Sequence, residues 1–101
     1  MALTRAMAIE FATDDVRVNA ILPGAVDTPM LEAGLSRSHV SGGSMEDRKA
    51  DLASKHVIGR VGMPAEIASA IVFLADNEQS SFMTGHPLIV DGGATIRLST
   101  E

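Results

Sequence analysis

The residues of this sequence best suited to hold a ligand follow a run of β-branched residues near position 20. Pro23 and Gly24 end that run, and Thr28 comes four residues later, directly before a second proline. Proline has no N–H to give to a sheet, while glycine lets the backbone turn sharply and leaves room beside it. Because ligands of open parallel sheets bind just beyond the carboxyl ends of strands, this turn predicts the floor of a binding site. An ordinary strand followed by a turn is the alternative.

The patterns on either side of this turn predict an α/β fold. A mostly apolar helix is expected over residues 1–13, followed by a strand over residues 16–22 whose side chains alternate between two faces. A second long helix begins at Pro64, which suits the first helical position, and Asn77 is expected to end it in a left-handed cap. A short strand follows over residues 86–90. Two strands joined by so long a crossover indicate a parallel sheet.

Between the turn and the second long helix, residues 30–58 differ in character from their surroundings. Residues 36–44 are rich in serine and glycine, and residues 45–55 are charged with sparse apolar positions. The second stretch predicts a surface helix of modest stability. Residues 36–50 have few apolar anchors, so we predict that they are the least ordered internal segment of the chain.

Composition excludes several classes of function. The formal net charge of −5 argues against non-specific nucleic-acid binding, which requires a basic patch. The absence of cysteine excludes disulfides and thiolate metal sites and is compatible with the cytoplasm, where we expect the protein. No apolar run is long enough for a membrane span, and no signal peptide is evident. At 101 residues the chain is one domain or part of one.

Four segments resemble the C-terminal half of the short-chain dehydrogenase/reductase family. Residues 3–11 resemble the later part of the helix that carries the family's catalytic Tyr and Lys, and residues 16–30 resemble its sixth strand and the turn after it. Residues 59–67, Gly-Arg-Val-Gly-Met-Pro-Ala-Glu-Ile, resemble the approach to its last long helix, and residues 84–93 resemble its final strand. The resemblance implies the C-terminal part of a Rossmann-like, doubly wound parallel sheet, with all 101 residues in a single domain.

The resemblance also implies roles for the turn and the segment after it. Four residues would form the nicotinamide end of a site for NAD or NADP: Pro23, Gly24, Val26 and Thr28. The Val26 backbone would face the carboxamide, and the Thr28 hydroxyl would face an amide or phosphate. Residues 30–58 would be the substrate lid, with three apolar residues on its substrate side: Met30, Leu31 and Leu35. The alternatives are a helix cap at Thr28 and core packing for the three apolar residues.

Other polar residues give weaker indications of chemistry. The three histidines show no i, i+4 pair that would suggest a metal, and we expect them at the surface or in the lid: His39, His56 and His86. Asp91 is followed by two glycines, and because one carboxylate supplies no ligand set, we expect a structural turn there. We predict no metal site.

The resemblance implies an NAD(P)-dependent oxidoreductase that acts on a small carbonyl or alcohol substrate. This chain would supply the floor of the nicotinamide site, the lid and the subunit interface. The family's glycine-rich loop, catalytic Ser and Tyr-x-x-x-Lys motif have no counterpart in it, and it contains no tyrosine, so we expect no catalytic residue and no activity from it alone. A homo-oligomer, dimer or tetramer, is expected, without nucleic-acid or membrane partners. The second hypothesis is a non-catalytic truncated product that acts as an assembly module.

Overall fold

The computed structural model describes residues 1–37 and 43–97. Within these residues, five α-helices and two strands follow one another in the order α1 (Ala2–Phe11), β1 (Ala20–Pro23), α2 (Pro29–Ser36), α3 (Met45–Ser54), α4 (Pro64–Ala75), α5 (Asn77–Ser80) and β2 (Pro87–Val90), and one 3-10 turn, Ala12–Asp14, follows α1. The two strands pair in a parallel sheet, which confirms the predicted α/β class. The chain divides into two compact units, one formed by Met1–Leu22 and Ala68–Val90, the other by Pro23–Ile67 and Asp91–Glu101.

In the first unit, β1 begins at Ala20, four residues later than the sequence predicts. Residues 16–19 lie beside the connection that precedes β2, where one backbone bond, from the Gly85 N–H to the Val18 carbonyl at 2.7 Å, is flanked by bonds that involve side chains. The Val18 N–H donates to Thr84 Oγ1 at 3.1 Å, and Asn19 Oδ1 accepts from the His86 N–H at 3.0 Å. Because the connection is not extended into a strand, the alternating pattern of residues 16–19 produces no sheet.

The end of α4 also differs from the prediction. Asn77 does not take a left-handed cap; it opens the short helix α5, for which the Asp76 side chain accepts the Glu78 N–H at 2.9 Å. The last carbonyls of α4 find other partners, since the Leu74 carbonyl accepts from Arg17 Nη2 at 2.6 Å and from the Ser80 hydroxyl at 3.0 Å. Ser80 is buried, at 2% exposed. Its hydroxyl donates to the last carbonyls of α4, which a glycine or asparagine cap would otherwise pair with backbone N–H groups.

In the second unit, α2 and α3 pack against each other and carry the segment predicted as a lid. The predicted surface helix over residues 45–55 is present as α3, which Ser44 and Asp47 start with a reciprocal capping box. Lys49 Nζ on α3 reaches Glu32 Oε1 on α2 at 2.6 Å, and Arg48 Nη1 reaches the Leu35 carbonyl at 2.6 Å. Residues 38–42, within the segment predicted to be least ordered, lie outside the described residues.

No helix within the described ranges has both the length and the apolar character needed to cross a membrane.

Candidate functional site

The turn after β1 is held in place by a parallel bridge to Gly62. The Gly62 N–H donates to the Ala25 carbonyl at 2.8 Å, and the Gly62 carbonyl accepts from the Asp27 N–H at 2.9 Å. These two bonds fix the peptide groups before and after Val26. Gly62 belongs to the loop that leads into α4, so the start of that helix positions the turn.

The bridge determines where the Val26 backbone points. In a trans peptide the C=O and the next N–H point in opposite directions. With the Ala25 carbonyl directed at Gly62, the Val26 N–H points away from it, and the Val26 carbonyl does the same because the Asp27 N–H faces Gly62. Within residues 1–37 and 43–97, no group pairs with the Val26 N–H or carbonyl. One residue therefore presents a donor and an acceptor side by side, away from the bridge.

Thr28 begins α2. Its Oγ1 accepts the Leu31 N–H at 3.1 Å, and Pro29 occupies the first helical position. The helix cap that the sequence allowed is thus present. An accepting hydroxyl still has a hydrogen to donate, so capping leaves Thr28 able to donate to a ligand.

Gly24 sits where no side chain fits. A Cβ at this position would lie 2.9 Å from His56 Nε2 and 3.0 Å from Asp91 Cα. The turn at Pro23-Gly24 therefore needs glycine because other parts of the second unit approach its backbone closely. Pro23 itself is exposed at the end of β1.

His56 is the residue near this turn whose role the sequence did not indicate. It was expected at the surface or in the lid, but it is only 4% exposed, so the surface alternative is wrong. Its Nε2 lies 3.1 Å from the Ala25 N–H, and its Nδ1 lies 2.9 Å from the Leu52 carbonyl. No spacing pattern in a sequence marks a histidine that bonds to backbone groups alone, so His56 could not be identified before the structure. His86 is exposed, as predicted, and His39 lies outside the described residues.

The three apolar residues predicted for the substrate side of the lid all belong to α2. Met30 is 81% exposed, while Leu31 and Leu35 are half-buried. Met30, at the first turn of α2, is therefore not packed against other described residues of this chain. The substrate role of the three remains a prediction.

Asp91 forms a structural turn, as predicted. Its carboxylate accepts the Thr95 hydroxyl at 2.7 Å and the Gly93 N–H at 2.9 Å. The Thr95 hydrogen bond is the main reason why the pKa of Asp91 lies below its usual value. The described parts of the chain hold no cluster of three His, Asp or Glu side chains suited to a metal ion.

Comparison with known proteins matches almost the whole chain to one family. The family model described as enoyl-(acyl carrier protein) reductase matches residues 1–95. A curated relative, cis-4-hydroxycyclohexanecarboxylate dehydrogenase of Sinomonas cyclohexanicum, is 43% identical over 93 residues, which are 92% of this chain and 33% of the relative.

Solved structures of short-chain dehydrogenases also match this chain. A short-chain dehydrogenase family protein of Francisella tularensis superposes with a TM-score of 0.88 at 30% identity, covering 95% of this chain and 40% of that protein. The structure of ElxO with NADP bound superposes with a TM-score of 0.73 at 31% identity, covering 95% of this chain and 36% of ElxO. The chain thus spans about a third of the length of the curated relatives it matches.

Proposed function

Because this chain belongs to the short-chain dehydrogenase/reductase family, we propose that it is the C-terminal segment of an NAD(P)-dependent oxidoreductase acting on an alcohol or carbonyl substrate. In this proposal the turn over residues 23–28 is the floor of the nicotinamide site, α2 and α3 are the substrate lid, and α1, α4 and β2 provide subunit contacts. The relative named for a hydroxycyclohexane acid and the neighbour with NADP bound support the reaction class and the coenzyme class.

The observation that carries the proposal is the outward-facing backbone of Val26. A carboxamide has an NH₂ donor and a C=O acceptor on one carbon, and Val26 presents the complementary C=O and N–H. Since Gly62 fixes both flanking peptides, this pair is oriented before any ligand arrives, which lowers the entropy lost on binding. The residues present therefore fit a nicotinamide carboxamide.

The other residues of the turn have supporting roles in the proposal. The Thr28 hydroxyl, already an acceptor for α2, donates its hydrogen to the amide or to a phosphate oxygen of the coenzyme. Gly24 lets the backbone of the turn pass close to His56 and Asp91, which keeps the turn in place. A bound nicotinamide coenzyme supplies hydride transfer to or from the carbon that carries the substrate oxygen. The chain contains no tyrosine to act as the family's proton donor, so we expect no turnover from these 101 residues alone.

Binding of nicotinamide mononucleotide tests the proposal, because this compound keeps the carboxamide, ribose and one phosphate while omitting the adenosine half. We expect the amide resonances of Val26 and Thr28 to shift saturably when it is titrated into the ¹⁵N-labelled chain at millimolar concentrations. Nicotinic acid mononucleotide, which has a carboxylate instead of the NH₂ donor, should bind more weakly, and ribose 5-phosphate should leave Val26 unchanged. Equal shifts with all three compounds, or none at residues 23–28, would refute the proposal.

A further inference from the structure

The ring of His56 joins two backbone groups that lie far apart in sequence. A backbone N–H can only donate, so Nε2 accepts from Ala25 and carries no hydrogen. Nδ1 therefore carries the ring hydrogen of the neutral imidazole and donates it to the Leu52 carbonyl. Leu52 lies in the last turn of α3, and Ala25 lies in the turn that follows β1. The two partners together select one tautomer and fix the plane of the ring.

Ala25 is held from both sides as a result. Its N–H is bonded to His56, and its carbonyl is bonded to the Gly62 N–H. The peptide that carries the Ala25 carbonyl is the same peptide that carries the outward-facing Val26 N–H. Loss of the bond at the Ala25 N–H would free the φ angle of Ala25, and the direction of the Val26 N–H would then depend on Gly62 alone.

The ring of His56 lies in space that two glycines leave open. A Cβ on Gly24 would touch Nε2 at 2.9 Å, and one on Gly92 would lie 3.6 Å from the ring carbon Cδ2. The two glycines thus accommodate the imidazole closely on two sides. The Ile58 N–H also donates to the Gly92 carbonyl at 3.1 Å, which secures the chain just after His56.

From this geometry we infer that His56 is a positioning residue. It holds the Ala25 N–H so that the Val26 backbone faces the nicotinamide, and it links the last turn of α3 to the turn over residues 23–28. The inference rests on the proposed function for its ligand, while the bond that it invokes belongs to the chain itself. A histidine buried only for packing would need neither a fixed tautomer nor an acceptor at Nε2.

Two substitutions separate the two nitrogens. His56→Gln can place its side-chain oxygen near the position of Nε2 and so accept from Ala25, whereas His56→Asn reaches only the position of Nδ1 and keeps the bond to Leu52. Loss of one hydrogen bond should make the Ala25 amide exchange with solvent about fivefold faster in His56→Asn, with the Gln variant close to the parent. His86→Asn, at an exposed histidine, is the control and should change nothing at Ala25.

The same variants are titrated with nicotinamide mononucleotide. We expect His56→Asn to weaken binding severalfold, His56→Gln to restore most of it, and the parent to show the Nδ1–H tautomer in long-range ¹H–¹⁵N spectra. Unchanged Ala25 exchange in His56→Asn would overturn the inference whether or not the ligand binds. Faster exchange with unchanged affinity would also overturn it, by reducing His56 to a packing residue. If the parent showed the Nδ1–H tautomer and the expected Ala25 exchange but did not bind nicotinamide mononucleotide, the proposed function would be refuted instead.

Discussion

Thr28 has two roles in this account, and substitution can separate them. Thr28→Val removes both the cap of α2 and the donor, and the lost cap should lower the free energy of unfolding by about 1 kcal/mol. Thr28→Asp keeps an acceptor for the Leu31 N–H at the positive end of the helix dipole, but an ionised carboxylate has no hydrogen to donate. We expect the Asp variant to unfold at nearly the parent's urea concentration and to bind nicotinamide mononucleotide poorly, with Thr28→Ser as the control that keeps both. If the Asp variant bound nicotinamide mononucleotide as tightly as the parent, Thr28 would serve only as the cap of α2.

Gly24 is predicted to tolerate no side chain. In Gly24→Ala the new methyl group meets Asp91 Cα at 3.0 Å, and a backbone atom cannot rotate away, so we expect a loss of about 1–3 kcal/mol of unfolding free energy. Gly34→Ala is the matched control, because a Cβ there meets nothing within 4 Å inside α2, and the change should stabilise by about 0.5–1 kcal/mol. Urea titrations followed by far-UV circular dichroism measure both. Equal stability of the two variants would contradict the close approach described at Gly24.

At the scale of single elements, an ion pair lies at the start of α4. Glu66 accepts two bonds from the Arg60 guanidinium, at 2.8 and 2.9 Å, and reaches back to the Met63 N–H at 2.9 Å. The guanidinium bonds, followed by the backbone bond, lower the pKa of Glu66 to about 2. A carboxylate whose pKa falls on folding stabilises the protein above the pKa of the unfolded chain, about 4.3, and loses this contribution as the pH drops towards 2.

The pH dependence of one variant checks this ion pair. We expect Glu66→Gln to unfold at lower urea than the parent near pH 6, and the difference to shrink steadily between about pH 4 and pH 2. In an Arg60→Gln background the same substitution should show a smaller dependence on pH. A difference that stayed constant down to pH 2 would mean that the ion pair adds nothing to the stability of α4.

The elements that local chemistry determines were predictable, and the ones that depend on a neighbour were not. Pro64 and Glu66 marked the start of α4, and the charged stretch after Ser44 gave α3. The predicted start of β1 was wrong because a strand also needs an extended partner. Residues 83–86 are not a strand, and the Val18 N–H is bonded to the Thr84 hydroxyl while the Asn19 side chain is bonded to the Met83 carbonyl. Asn77 suited a left-handed cap by type, but Arg17 and Ser80 already satisfied the end of α4. His56 depends on backbone groups that only the folded chain brings together.

At the scale of the whole molecule, we expect the chain to associate. Large apolar side chains are exposed on α1 and α4, including Ile9 at 79% and Val72 at 66%. Among the described residues β1 pairs with β2 alone, and a two-stranded sheet has little stability in isolation. Sedimentation at micromolar concentration should therefore show at least a dimer, weakened by Val72→Lys and unaffected by Glu46→Lys at an exposed position of α3, outside the proposed subunit contacts. A cooperatively folded monomer of 10.6 kDa would contradict this expectation.

The central claim is that the Val26 backbone receives the carboxamide of a nicotinamide. The most direct measurement is the set of intermolecular nuclear Overhauser effects between nicotinamide mononucleotide and the ¹⁵N-labelled chain. We expect the carboxamide protons of the ligand to lie close to the Val26 amide proton, and these contacts to weaken in His56→Asn. Ligand contacts confined to other parts of the chain, with none to Val26, would contradict it.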